Sequence, residues 1–460
     1  MPQRISTSDI YSRLPVWAQN VACSLKGIQM RRERYSRAFW KQLSFLQESQ
    51  WWPLERQLEY QNARLSELVH HAYNNVPFYR EAFTNAGVKP DDIRNTDDLK
   101  QLPILTKEMV RERSADLIAR NHPKSRIRFN NTGGTTGTAL RVAKDIDTPA
   151  IFKAFAWRHK ERFGLKINDP FIAFAGRGAV PLNKMDPPFW RRNITLHQTY
   201  VSVHHMTKQN MPALAEYLQR RKVKYYTGYP SALNILANYL LDNRIELPHP
   251  PSVVVCASET VLPEYREAIR NAFRCDVTDF YGSTEVCSSA SECEEHRYHL
   301  DTELGITELV PISDDHNGLC KIICTGLLNP VMPLIRYDIG DLATPSNSPC
   351  PCGRQSPTLL SIDGRTDGCI TTPDGRRIAH LTGPFRNRTF IKECQVVQDA
   401  SDHITLRLVI EASFTQKQER ALVNDVRKYV GDSMRIDTVQ LDHIPKSKNG
   451  KFRHIVNQCC

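Results

Sequence analysis

Hydrophobic and polar residues alternate along the amino-terminal part of this chain in patterns that predict helices. Between residues 58 and 76 apolar side chains recur about every 3.6 residues, and Pro77 predicts where that helix ends. A second helix is predicted over residues 107–120. Residues 1–125 are therefore expected to form a mainly helical lead-in.

From about residue 150 to residue 270, short apolar runs alternate with amphipathic helices. Strand, polar turn and helix recur in that order, which predicts α/β layers around a largely parallel sheet. Ligands bind such sheets at the turns that follow the strands. The predicted strands are 171–175, 224–226 and 252–256, and the predicted helices are 232–241, with Ser231 as its N-cap, and 263–273.

Beyond residue 305 the apolar runs are of β type, and a polar, Gly-rich stretch at 363–368 is the best candidate for a domain boundary. The chain is expected to be an α/β protein. A large domain over 1–363, with several subdomains, mixed sheets and helices, precedes a small α+β cap over 364–460. Strands are predicted at 305–310, 318–325, 334–337, 359–362, 393–398 and 404–410, a helix at 416–430 and a hairpin at 446–449.

Composition narrows the possible functions. Hydrophobic residues make up 40% of the chain and charged residues 24%, which indicates a globular protein. The net charge of +11 favours anionic ligands such as nucleotides. No zinc-finger or helix-turn-helix spacing is present, so no nucleic-acid partner is expected. No apolar run reaches the length of a membrane span, and the 13 scattered cysteines predict a reducing, cytoplasmic location.

A loop rich in glycine and threonine, residues 130–139, lies between β-type runs at 126–129 and 140–142. Successive Gly and Thr residues let backbone N–H groups converge on one point, and the Thr hydroxyls add donors. Such a nest suits a polyphosphate. The loop lacks the Gly-Lys-Ser/Thr of a Walker motif, so it predicts a lid over phosphates, with an ordinary hairpin as the alternative.

Two later motifs carry side chains that suit a nucleotide. In the run at 279–285, Tyr281 beside a glycine offers a flat face to a nucleobase, and Glu285 offers a carboxylate to Mg²⁺. In the run at 336–341, Asp341 follows a predicted strand, where a carboxylate can accept both ribose hydroxyls. A solvated loop Glu and a turn Asp are the alternatives.

Two further motifs carry cations. Arg365 has a forked guanidinium that can reach ribose or phosphate oxygens. Lys451 follows an Asn-Gly pair, which predicts a type I′ hairpin turn that directs the lysine outward. A solvated linker Arg and a solvated hairpin tip are the alternatives.

A metal-ligating pattern lies between these motifs. Cys350 and Cys352 stand two residues apart, and Cys293 and His299 lie some fifty residues before them. Three thiolates and one imidazole fit a tetrahedral structural Zn²⁺. His296 is the competing histidine, and four reduced, partly buried side chains without a metal are the alternative.

The five motifs stand in the order found in the adenylate-forming superfamily, the acyl-CoA synthetases and nonribosomal adenylation domains, and they resemble their counterparts there. The resemblance covers about residues 40–455. Within the superfamily the chain is most similar to the phenylacetate–CoA ligase branch, and in particular to its CapK-like members, which are associated with capsular polysaccharide synthesis. The stretches that carry this likeness are 75–79, 102–107, 229–231, 258–260 and 350–354.

This resemblance implies an AMP-forming ligase that uses ATP and Mg²⁺ to activate a carboxylic acid. It implies catalytic roles for Lys451, Glu285 and Thr284, an acyl pocket near His205 and Tyr229, and the structural Zn²⁺ site that the branch often carries. The small cap is expected to rotate about Asp367 after adenylation. The nucleotide-binding residues implied are Thr132, Gly134, Thr135, Thr136, Gly137, Thr138, Ser258, Glu259, Tyr281, Gly282, Ser283, Asp341 and Arg365.

The acceptor of the acyl group stays open at this stage. The thiol of CoA is the family default, and an amine of a sugar or amino acid is the alternative that the capsule-associated relatives favour. A non-catalytic nucleotide-binding module and a basic nucleic-acid-binding protein are the hypotheses from other classes. The protein is expected to be a monomer or a homodimer.

Overall fold

The computed structural model begins with a helical segment, as the sequence predicts. It describes residues 7–131, 140–176, 178–184, 186–312, 318–365, 370–373, 377–378, 381, 383–385, 388, 390–410, 414–445 and 452–459. The helices of the lead-in are α1 (Thr7–Arg13), α2 (Val16–Arg34), α3 (Arg37–Ser49), α4 (Leu54–Asn75), α5 (Pro77–Ala86) and α6 (Lys107–Glu112).

Two strands then flank the Gly/Thr loop. Strand β1 (Ile127–Asn131) pairs antiparallel with β2 (Arg141–Asp145), and the two form a separate two-stranded sheet. Residues 132–139, between the strands, lie outside the described residues. The prediction that two β-type runs enclose this loop is confirmed.

A twelve-stranded sheet dominates the described part of the chain, and its centre is parallel. Neighbouring strands in the order β5, β3, β6, β7, β8 all run the same way. The strands of this half are β3 (Phe171–Ala175), β4 (Trp190–Asn193), β5 (Gln198–Ser202), β6 (Tyr225–Gly228), β7 (Val253–Ala257) and β8 (Asp276–Gly282).

Helices cover this parallel region because their apolar faces match the buried strands. Tyr226, Val254 and Val277 of the sheet share a buried core with Leu233 and Ile269 of two covering helices. Leu233 belongs to α9 and Ile269 to α10, and the helices of this region are α7 (Thr148–Arg162), α8 (Met211–Gln219), α9 (Pro230–Asp242) and α10 (Pro263–Phe273). The strand at 171–175 and the helix at 263–273 have the bounds that the sequence predicts.

The other half of the large sheet is antiparallel and packs against the lead-in helices. Leu65 and Val69 of α4 share a buried core with Ile322, Tyr337 and Ile339. The strands of the antiparallel half are β9 (Ser289–Glu292), β10 (Tyr298–Leu300), β11 (Gly305–Pro311), β12 (Cys320–Gly326), β13 (Tyr337–Pro345) and β14 (Thr358–Arg365). Within the described residues, no helix is long and apolar enough to cross a bilayer.

The carboxyl-terminal part forms a small α+β unit. A four-stranded sheet in the order β19, β18, β17, β20 has its own core, which α11 covers with Leu422, Val426 and Val430. The elements are β15 (Ile370–Thr371), β16 (Arg377–Ile378), β17 (Ile391–Ala400), β18 (His403–Ile410), α11 (Gln416–Val430), β19 (Arg435–Gln440) and β20 (Ile455–Asn457). The predicted α/β class is confirmed. The boundary after residue 363 stays a prediction, and β14 runs on to Arg365.

Three local predictions were wrong. Helix α6 ends at Glu112, eight residues before the predicted end. The backbone beyond it forms hydrogen bonds to distant segments instead: Ala119 N–H donates to Val331 O, and Arg120 N–H donates to Asn75 O. Strand β13 begins only at Tyr337, so Asp341 lies within a strand and not after one. The N-cap of α9 is Tyr229, with Pro230 at the first helical position, and not Ser231.

Candidate active site

Predicted site residues collect where three neighbouring parallel strands end. Tyr229 follows β6, Ser258 and Glu259 follow β7, and Tyr281 and Gly282 end β8. Because β6, β7 and β8 are adjacent and parallel, these residues share one edge of the sheet. That edge is where open α/β sheets bind their ligands.

Asp341 is the centre of a hydrogen-bonded group at this edge. The hydroxyl of Tyr281 donates to Asp341 Oδ2 over 2.8 Å, and Arg365 Nη1 donates to Oδ1 over 3.3 Å. Asp341 and Arg365 stand opposite each other in the β13–β14 ladder. Burial raises the pKa of Asp341, and the charge of Arg365 opposes that shift. Two donors thus fix a largely buried carboxylate in one orientation.

A second buried carboxylate, Glu285, lies just beyond β8. It is 8% exposed, and the hydroxyl of Tyr337 donates to its Oε1 over 3.4 Å. Thr284 beside it is half-buried. The buried Oγ of Ser283, two residues before Glu285, has no hydrogen-bond partner among the described residues.

Lys144 of β2 is a site residue that the sequence analysis missed. It is 5% exposed, and the largest charge effect on it comes from Glu285, 141 positions further along the chain. Burial lowers the pKa of Lys144 to about 8, and the Glu285 carboxylate opposes the shift. The available signal is a lysine that directly follows two apolar residues, Val142 and Ala143, in the strand after the Gly/Thr loop.

The backbone at Gly282 passes close to a helix. A Cβ there would lie 2.6 Å from Cζ of Phe152 on α7, a distance that real side chains do not adopt. Any larger residue at the end of β8 would therefore have to displace the Phe152 ring.

Glu259 joins the large sheet to the carboxyl-terminal unit. Its Oε2 accepts the backbone N–H of Ser231 at 3.2 Å, and its Oε1 accepts the backbone N–H of Phe452 at 2.7 Å. Lys451, the residue before Phe452, lies outside the described residues, as do Asp367 and six members of the Gly/Thr loop. Those six are Thr132, Gly134, Thr135, Thr136, Gly137 and Thr138.

His205 and Tyr229, the predicted acyl-pocket residues, follow strands β5 and β6, with β3 between those strands. The ring of His205 stacks on Phe189 at 4.9 Å, and its Nδ1 lies 2.7 Å from Ser202 Oγ. Burial lowers the pKa of His205, which favours a neutral ring. The structure thus puts both residues at the edge that carries the nucleotide motifs without joining them directly.

The four predicted metal ligands meet in one cluster. Cys293 follows β9, His299 lies in β10, and Cys350 and Cys352 precede β14, with the three strands adjacent in the sheet. Cys293 Sγ lies 3.5 Å from Cys350 Sγ, Cys352 Sγ lies 3.2 Å from His299 Nε2, and all four ligand atoms lie within 4.8 Å of one another. Tetrahedral zinc bonds set ligand atoms about 3.3–3.8 Å apart, so the residues fit this metal.

The histidine of the cluster is prepared for ligation. Ser356 Oγ lies 3.2 Å from His299 Nδ1, so Nε2 faces the thiols, and burial lowers the pKa of His299 to about 3. A neutral ring with a partner on its far nitrogen is the ligating form. His296, the competing histidine, instead contacts Glu292 and Asp276.

The chain matches two family descriptions. Residues 195–311 match the AMP-binding enzyme family, and residues 370–458 match the CapK C-terminal domain. It is 25% identical to Protein CapK of Staphylococcus aureus over 454 residues, which cover 97% of this chain and 98% of CapK. It is 23% identical to phenylacetate-coenzyme A ligase of Thermus thermophilus over 455 residues, 88% of this chain and 97% of that enzyme.

Solved structures share the fold. A crystal structure of 2-hydroxyisobutyryl-CoA ligase, in the postadenylation state with R3-HIB-AMP, matches with a TM-score of 0.68 and 19% identity over 89% of this chain and 91% of that chain. The sequence matches support an adenylate-forming enzyme of the CoA-ligase type, and the solved structures show the same fold. Within the adenylate-forming superfamily, the chain is a homologue of CapK and of the phenylacetate–CoA ligases.

Proposed function

We propose that this chain activates a carboxylic acid with ATP and then transfers the acyl group to a thiol of the coenzyme A type. The carboxylate attacks the α-phosphorus of ATP, the bond to the bridging oxygen breaks, and pyrophosphate leaves. The thiolate then attacks the acyl carbon, and AMP leaves. The observation that carries this proposal is the group of Tyr281, Asp341 and Arg365 at the ligand-binding edge of the sheet.

In this proposal each described residue serves one part of the nucleotide. Asp341, oriented by Tyr281 and Arg365, accepts the ribose hydroxyls, and the turn after β7 borders the adenine. Glu285, with Thr284 beside it, would hold Mg²⁺, which neutralises phosphate charge when bound. Because phosphoryl transfer needs little covalent help from a protein, positioning and charge neutralisation are the contributions expected here.

Pyrophosphate release with ATP and Mg²⁺ tests the proposal across aryl, fatty, hydroxy and amino acids, with hydroxylamine as the trap. Release that depends on one acid class, together with its hydroxamate, supports adenylation and identifies the acid. ATP binding without release with any acid would favour a non-catalytic nucleotide-binding module. Replacing hydroxylamine by CoA or by amino sugars then distinguishes a thiol acceptor from an amine acceptor. The full-length similarity to CapK keeps the amine acceptor as the second candidate.

Lys144 gives the proposed adenylation step a pH dependence. Its pKa of about 8 means that the side chain loses its positive charge as pH rises through that value. If this charge neutralises Glu285 and nearby phosphate, pyrophosphate release falls above about pH 8, and Lys144→Met lowers it about tenfold. Lys144→Arg should keep the rate and extend activity to higher pH. An unchanged pH profile in Lys144→Met would contradict this role.

The Cys/His cluster is proposed to hold a structural Zn²⁺, bound by Cys293, His299, Cys350 and Cys352. Removing the metal should lower the melting temperature by several degrees, because it joins two loops of the large sheet. Metal analysis is expected to find one zinc per chain in the wild type and none in Cys350→Ser. The matched control is Cys275→Ser, another half-buried cysteine, which should keep its zinc. A metal-free wild type with unchanged stability would contradict the site.

A further inference from the structure

Helix α2 is docked on the large sheet by hydrogen bonds. Asn20 Oδ1 accepts the backbone N–H of Arg192 at 2.9 Å, Ser24 Oγ accepts that of Ile194 at 3.1 Å, and Arg31 donates to Thr195 O at 3.1 Å. The helix also lies very close to the sheet at one point. A Cβ on Gly27 would lie 2.3 Å from the side chain of Asn193.

Part of the solvent-facing side of the same helix is apolar. Trp17, Val21, Leu25 and Ile28 recur at helical spacing and are 71%, 51%, 61% and 43% exposed. They form a stripe about 16 Å long, because each helical residue adds about 1.5 Å. Ile194, whose N–H is bound by Ser24 of α2, is 69% exposed and widens the stripe. Polar residues normally occupy the exposed side of a surface helix, so this apolar stripe is a candidate contact surface.

The charge around the stripe indicates the chemistry of that partner. Residues 10–37 contain six Lys and Arg residues and one acidic residue. Lys26, Arg32 and Arg37 are exposed on or beside α2. Two such surfaces would repel each other if copies of the chain met through this face, whereas an anionic surface would attract them.

We propose that α2 binds the surface of an anionic lipid bilayer, with the stripe of Trp17, Val21, Leu25 and Ile28 inserted among the headgroups and the flanking cations on lipid phosphates. Helices that lie in a bilayer interface combine an apolar face containing Trp or Leu with Lys and Arg beside it. The polar contacts to the sheet hold the helix with its apolar side outward. Binding would keep the enzyme at a membrane without a span.

Co-sedimentation of the full chain with vesicles tests this proposal. The wild type should sediment with phosphatidylcholine–phosphatidylglycerol vesicles and much less with phosphatidylcholine alone. Changing all four stripe residues to Gln should reduce binding at least about tenfold, and Arg32→Gln, in line with the stripe on the helix surface, should reduce it about fivefold. The matched control changes Trp40, Leu58 and Leu241, exposed apolar residues on other helices, to Gln and should bind like the wild type.

Circular dichroism and solution pyrophosphate release show whether the stripe variant is folded, and neither depends on vesicles. The membrane-binding proposal can therefore be overturned without affecting the proposed enzyme activity, and the activity can be overturned without affecting membrane binding. It is overturned if the wild type does not sediment with anionic vesicles, or if the folded stripe variant sediments like the wild type. A wild-type dimer that the stripe substitutions convert to a monomer would overturn it in favour of self-association.

Discussion

Glu285→Gln is expected to lower acid-dependent pyrophosphate release by about two to three orders of magnitude. The carboxylate is buried, Tyr337 orients one of its oxygens, and Lys144 is a charge neighbour. The substitution removes one negative charge and keeps the shape of the side chain. A site that uses this charge for Mg²⁺ loses its ligand, whereas a purely structural glutamate would tolerate the amide. Initial rates at several Mg²⁺ concentrations provide the measurement.

Two companion variants of this glutamate separate charge from packing. Tyr337→Phe removes the hydroxyl that contacts Glu285 but keeps the carboxylate, so it should cost far less than Glu285→Gln. Raising Mg²⁺ should restore Tyr337→Phe and leave Glu285→Gln impaired. Equal rates for the wild type and Glu285→Gln, with the same Mg²⁺ dependence, would remove Glu285 from the proposed metal site.

Local signals determined how well individual elements were predicted. The bounds of α11 are the predicted ones because the helix signals its own start: Thr415 and Gln418 form a capping box, and apolar residues follow at helical spacing. Helix α6 carried a similar signal, yet the chain leaves the helix after Glu112 for backbone bonds to Val331 and Asn75. No sequence window shows such distant partners, so propensity alone extended the helix too far.

The residues of the candidate site could likewise be predicted from the sequence only in part. The turns after β6, β7 and β8 could be predicted to meet, because parallel strands end at one edge of the sheet. The register that sets Asp341 opposite Arg365 depends on β-bulges between β13 and β14, which spacing does not reveal. Lys144 was missed for a related reason, since only the folded chain brings it near Glu285. The meeting of Cys293, His299, Cys350 and Cys352 could be predicted, because residue type limited the histidine of the cluster to two candidates.

Lys451→Ala is expected to slow the first half-reaction, adenylation, strongly and to spare the second, acyl transfer. By resemblance, this lysine bridges the attacking carboxylate and the phosphate oxygens, so its loss should slow pyrophosphate release about 10²–10³-fold. The neighbouring described residue supports this expectation, because the N–H of Phe452 donates to Glu259 at the ligand-binding edge of the sheet. The carboxyl-terminal unit therefore contacts the proposed adenine-binding turn close to Lys451 in sequence.

Supplying the acyl-adenylate directly bypasses the step that Lys451 is proposed to serve. With this substrate and CoA, Lys451→Ala should form thioester at the wild-type rate if the cap turns the lysine away before transfer. Lys448→Ala changes a lysine of the same segment and should leave both half-reactions intact, which controls for charge and folding. Loss of both half-reactions in Lys451→Ala would indicate a damaged cap. Pyrophosphate release by Lys451→Ala at the wild-type rate would exclude this lysine from adenylation. A rotating cap that places Lys451 in the active site only during adenylation predicts a single result. That result is slow adenylation with acyl transfer at the normal rate.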